Sequence, residues 1–181
     1  GNGNQVGGAL MTTPAKQITV ILVRGLLGMI YSRGMDTLAG KLSSLGYNTQ
    51  VWNHSFFFLA WFANKQVIAD EIKRLRDNGQ TVVLVGHSFG ANVLLMAARL
   101  IPNIRIALLI AIDPAAQYDL TVPGNIQRAI GIRQAQGAIG RGQLKPTGTP
   151  RITDLLMDGG HTWLDDAPVV HNRVIAEVAK L

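Results

Sequence analysis

Of the five serines in this chain, Ser88 is the one whose surroundings can turn a hydroxyl into a nucleophile, within Gly86-His87-Ser88-Phe89-Gly90. The β-branched and apolar stretch Thr81 to Val85 precedes it, and Ala91 to Ile101 follows with the pattern of a helix closed by Pro102. A serine in such a strand-to-helix turn takes a strained backbone conformation, and small residues two before and two after it keep strand and helix from colliding. Gly86 and Gly90 meet that demand. The first turn of the helix also offers N–H groups and the positive end of its dipole to charge developing on a substrate oxygen. Because a serine hydroxyl alone is a weak nucleophile, the site also needs a base in reach and a group that orients the base.

Val83 to Asn92, read as VLVGHSFGAN, resembles the α/β-hydrolase family, in particular its lipases, esterases and thioesterases. The resemblance implies the order nucleophile, acid, histidine. His161 then fits the base, since it follows Asp158-Gly159-Gly160 after an apparent strand. His171 is the rival, but three residues after Pro168 it falls in the last helix, where a solvent-exposed histidine is the simpler reading. His54 comes too early in the chain, and His87 is read as packing beside the elbow. For the acid, Asp113 in Ile110-Ala111-Ile112-Asp113-Pro114-Ala115 resembles the pancreatic-type lipases, whose acid ends the strand after the nucleophile helix. The competing reading makes Asp113 a strand-end residue capping a turn, with Asp158 as the fallback acid. Arg24-Gly25-Leu26-Leu27-Gly28 occupies the place of the family's His-Gly-x-x-Gly loop. By that match the backbone N–H groups of Leu26 and Phe89 form the oxyanion hole, and Arg24 in the histidine position is tolerated because the donors are backbone.

These residues need elements to bring them together. Ile18 to Val23 reads as a strand buried on both faces, and Leu38, Leu42 and Leu45 then recur at helical spacing up to Gly46. Thr49 to Asn53 is a short strand, and Val67, Ile68, Ile72 and Leu75 mark the next helix. Further strands are expected at Thr81 to Val85, Ile104 to Ile112, Ile126 to Arg133 and Ile152 to Met157, with a last helix from Pro168. Alternating strands and helices predict one mostly parallel α/β sheet of about six strands with helices on both faces. Ligands bind outside the carboxyl ends of such strands, where Ser88, Asp113 and His161 all fall. The family's first two strands and its cap insert are missing, so the expected fold is a minimal, cap-less one: residues 18–181 as a single domain after a flexible leader and lead-in over 1–17.

The chain has 181 residues, 48% of them apolar, enough for one core. It contains no cysteine, which excludes disulfides, thiolate metal sites and a cysteine nucleophile. The net charge of +6 is common in domains that bind no polyanion, so no nucleic-acid partner is expected. No apolar run is long enough for a membrane span, which predicts a soluble chain, with cytoplasm and export both open. Gly1 to Leu10 reads either as what remains after removal of an export or anchor segment or as a leader before Met11. Ser55 to Phe62, rich in phenylalanine and tryptophan, reads equally as an acyl-pocket loop and as the buried opening of a helix. Arg128, Arg133, Arg141, Lys145 and Arg151 form a basic stretch, read as a solvated face or as a guide for anionic substrates. The expected activity is cleavage of a small-molecule ester or acyl substrate through an acyl-enzyme, without cofactor or metal. The alternatives are a thioesterase or acyltransferase using the same serine, and a catalytically silent binding protein of the same fold.

Overall fold

Six strands, each followed along the chain by a loop or helix, form one sheet in the computed structural model, which describes residues 11–25, 33–53, 58–137, 139–148 and 151–181. The strands are β1 (Ile18–Val23), β2 (Asn48–Trp52), β3 (Thr81–His87), β4 (Leu108–Ile112), β5 (Arg128–Gln134) and β6 (Arg151–Met157). Helices α1 (Gly34–Ser44), α2 (Phe58–Asp77), α3 (Phe89–Leu100), α4 (His161–Leu164) and α5 (Pro168–Val178) connect or follow them. The spatial order is β2-β1-β3-β4-β5-β6 and every neighbouring pair is parallel. The expected mostly parallel sheet is therefore parallel throughout.

The continuous apolar runs of β1 and β3 follow from burial on both faces. Successive strand side chains point to opposite sides, so Val20, Leu22, Val83 and Val85 meet Leu38 and Leu42 of α1 and Val170 and Val174 of α5. Ile21, Val23, Val82 and Leu84 meet Ile68 and Ile72 of α2 and Leu94 and Leu95 of α3. β6 is an edge strand with partly exposed residues along its length. The order in which strands are added reverses between β1 and β3, with β2 on one side and β4 on the other, which puts the topological switch point directly beside the residue after β3.

Several boundaries differ from the sequence pattern. Ile106 makes one parallel bridge to Ile126 ahead of β4 and β5, so both strands start later than their apolar runs. The segment after β2 enters helix α2 at Phe58, well before the Val67 periodicity, and the loop reading of Phe58–Phe62 gives way to the helix reading. Ser55, Phe56 and Phe57 lie outside the described residues, as do the side chains of Phe58 to Phe62, and with them the acyl-pocket expectation. Thr13 donates through both its N–H, at 2.8 Å, and its hydroxyl, at 3.0 Å, to the Leu181 carbonyl. No helix among the described residues is long and apolar enough to cross a membrane.

Candidate active site

Ser88 joins β3 to α3 at φ 56° and ψ −128°, a conformation L-residues rarely adopt. Its N–H donates to the Ile112 carbonyl at 2.9 Å, tying the turn to β4. Serine before a helix ordinarily caps it; here the Ser88 hydroxyl makes no capping bond. The two glycines are required by contact. A Cβ on Gly86 would lie 2.5 Å from Ala91 N, and one on Gly90 would lie 2.3 Å from the Val23 carbonyl oxygen. The start of α3 thus rests directly on the end of β1. Leu26 itself lies outside the described residues. Arg24, the residue after β1, bonds Asp36 of α1 through Nε at 3.0 Å, and its other nitrogens bond Asp36 and Asn53. Phe89 packs edge-on against Tyr118, ring centroids 5.1 Å apart.

Asp113 follows β4, also at positive φ (47°), and is fully buried. Its carboxylate is saturated with donors. Oδ1 accepts the Arg141 N–H at 2.9 Å and the Gln134 N–H at 3.2 Å, while Oδ2 accepts Gln134 Nε2 at 2.8 Å. His161 Nδ1 donates to the same Oδ2 at 2.5 Å, across 48 positions of sequence. With Nδ1 carrying the proton toward a carboxylate, Nε2 is left as the acceptor nitrogen of His161. Asn92 of α3 pins the chain after Asp113 from below: its Oδ1 accepts the Ala115 N–H at 3.0 Å and its Nδ2 donates to the Ala115 carbonyl at 3.1 Å.

His161, expected in a loop, is the first residue of the short helix α4, entered through Gly159 and Gly160. Its imidazole stacks obliquely on that of His87, the residue before Ser88, with ring centroids 4.9 Å apart. His87 Nε2 donates to the His161 carbonyl at 2.9 Å. Burial first, and the neighbouring His161 second, push the His87 imidazole down to about 4. Among the described residues, no hydrogen bond joins Ser88 to His161.

The solvent-exposed reading of His171 is overturned. His171 is fully buried, not solvent-exposed, because α5 turns this side, with Val170 and Val174, into the molecule. Its Nε2 donates to the Asp165 carbonyl at 2.5 Å and its Nδ1 accepts from Lys41 Nζ at 2.9 Å, so both nitrogens are spent on the fold. His54 lies outside the described residues. Asp158 is exposed on the bend before α4, while Asp113 holds the imidazole. Two of the basic residues are committed elsewhere: Arg133 makes bonds of 2.8 to 3.1 Å to Asp154, and Arg128 pairs with Glu177.

Four participants escaped the sequence reading. Gln134 closes β5 beside Asp113, one residue past the predicted strand end, and a glutamine there carries no motif of its own. Gly140, at φ +78°, would place a Cβ 2.2 Å from Asp113 Oδ2 and 2.7 Å from His161 Nδ1. Among the many glycines of that loop only proximity singles it out. Asn92 looks like an ordinary helix residue until its contact with Ala115 is seen. Asp165 accepts the Gly34 N–H at 3.2 Å, at the start of α1, and burial pushes its carboxyl up to about 6.

The Alpha/beta hydrolase family profile matches residues 7–180. No curated protein sequence matches the chain. Among solved structures, a chain of the metagenome-derived lipolytic enzymes LipS and LipT superposes with a TM-score of 0.67 at 14% identity, covering 92% of this chain and 95% of that one. An α/β serine hydrolase without a lid from Xanthomonas campestris gives 0.67 at 20% identity, covering 93% and 84%. Est1E from Butyrivibrio proteoclasticus gives 0.58 at 16% identity, covering 92% and 90%. At these identities the superpositions speak for the fold, and the family profile, spanning nearly the whole chain, shows that this protein belongs to the α/β hydrolase family.

Proposed function

We propose that the protein is a serine hydrolase that cleaves carboxylic ester bonds of small, lipase- or esterase-type substrates through an acyl-enzyme. In this reading Ser88 Oγ attacks the ester carbonyl while His161 Nε2 takes its proton, and the backbone N–H groups of Leu26 and Phe89 receive the oxyanion. Collapse of the tetrahedral intermediate breaks the bond to the alcohol, which leaves with the proton from His161. Water, deprotonated by the same imidazole, then releases the acid. Asp113 holds the tautomer and stabilises the imidazolium, and the chemistry draws on side chains and backbone alone. Catalytic hydrogen bonds are often long in unliganded sites and tighten in the Michaelis complex, so His161 closes on Ser88 when substrate binds.

The observation that carries this reading is the 2.5 Å bond between buried Asp113 and His161, beside a serine at positive φ in a strand-to-helix turn. A fluorophosphonate probe tests it. Labelling of the wild-type chain that disappears in Ser88→Ala supports the assignment, and labelling that survives the substitution removes it.

A further inference from the structure

His87 is a buried, polar side chain on the elbow to which the acyl-transfer scheme gives no task. α4, which begins at His161, is only four residues long and is entered through Gly159 at φ +128° and Gly160. So short a helix has little stability of its own. Asp113 holds the Nδ1 end of the imidazole and nothing else about it. The base needs a second fixed point on its backbone if Nε2 is to have one position, and His87 provides it.

We propose that His87 is a positioning residue for His161: its Nε2–H bond to the His161 carbonyl, and its ring against the His161 imidazole, hold the base at a set distance from the nucleophile. The inference rests on the reading of Ser88 and His161 as nucleophile and base. Because His87 and Ser88 are consecutive, a single peptide unit links the contact that anchors the base to the residue the base must serve. Asp113 fixes the far side of the ring, so the two contacts bracket the side-chain torsions that aim Nε2.

The choice of histidine for this task has a chemical reason. The side chain must donate a hydrogen bond and fill a ring-shaped space, yet stay neutral beside an imidazole that becomes cationic during the reaction. Burial keeps His87 neutral to about pH 4. The charged or titratable groups around it are His161, Asp113 and, 4.0 Å from its Nδ1, the Asp165 carboxyl. A lysine or arginine there would meet the imidazolium with a like charge.

Three measurements on the full chain test the proposal. Histidine side-chain NMR of the wild type is expected to show His87 neutral and Nε2-protonated from pH 8 to pH 5; a His87 that is Nδ1-protonated, or that titrates near 6.5, overturns it. His87→Phe keeps a ring but not the donor, and is expected to lower kcat for a p-nitrophenyl ester by about 10²-fold with KM nearly unchanged, the penalty of a misplaced catalytic group. His87→Gln, which restores an N–H donor, is expected to recover most of that loss. A folded His87→Phe with kcat within about twofold of wild type, or a His87→Gln as impaired as His87→Phe, overturns the proposal. The His161 Nδ1–H resonance provides a readout that does not depend on catalysis, and it is expected to broaden in His87→Phe and to persist in His87→Gln. An unchanged resonance in His87→Phe overturns the positioning role even in a chain whose Ser88 fails to take the probe.

Discussion

Ser88 and Asp113 both hold positive φ, a conformation that costs a side chain with a Cβ on the order of 1–3 kcal/mol. Glycine relieves most of that strain and gives back some of the gain as extra freedom in the unfolded chain. Ser88→Gly is therefore expected to raise stability by about 1 kcal/mol in urea titration while abolishing probe labelling; a destabilised variant would show that the turn carries no strain. Asp113→Asn keeps the shape but can present an N–H to His161, favouring the wrong tautomer, and kcat is expected to fall by about 10⁴-fold with the fold intact. Near-normal turnover of that variant would place the acid elsewhere. Ser88 is legible in sequence because every requirement of its turn lies within five residues. His171 is not, since whether a helical histidine faces water or core depends on what its helix packs against, and the sequence alone suggested water.

Gly86, Gly90 and Gly140 show what the elements demand of one another. Each is a place where backbone or a site side chain comes closer than any Cβ allows, at 2.5, 2.3 and 2.2 Å respectively. Gly90→Ala forces α3 away from β1 and is expected to cost about 1–3 kcal/mol, read as a lower urea midpoint, because the obstructing atom is rigid backbone. Gly140→Ala should act differently: it drives a methyl between Asp113 and His161 and adds the strain of positive φ, so activity should fall by more than its stability loss explains. Equal and small effects on both would mean that the Gly140 loop yields freely. The strand and helix order was readable because burial on both faces leaves unbroken apolar runs and helices leave a 3.6-residue period. The start of α2 was not, since the aromatic cluster before Val67 fits a loop as well as a helix. Nor was the reach of β5 to Gln134, because a strand's polar end carries no periodicity.

At the scale of the whole molecule, two buried groups behind the site set opposing responses to acid. His87 is held down to about 4 from an ordinary 6.5, so the fold binds its proton less readily than the unfolded chain does. Stability present above pH 6.5 is lost from this group as the pH falls toward 4. Asp165 is pushed up to about 6 from 3.8, so its contribution is fully present below 3.8 and is lost as the pH rises through about 6. Between about pH 4 and 6 the two cancel, because a proton carried by His87 in the unfolded chain is carried by Asp165 in the fold. Asp165→Asn, which retains an acceptor for the Gly34 N–H, is expected to be more stable than wild type at pH 7 and to lose that advantage by pH 4; a constant difference in unfolding free energy across that range would refute the opposition. None of this was visible in sequence, where 78 positions separate the two residues. The all-parallel sheet also has a consequence in time. It contains no hairpin to seed it, so each strand pairing must wait for a crossover to be completed. During synthesis the elbow can assemble around β1, β3 and β4 before His161 exists to meet Asp113, so on the proposed function the nascent chain stays chemically silent until β6 and the start of α4 have followed.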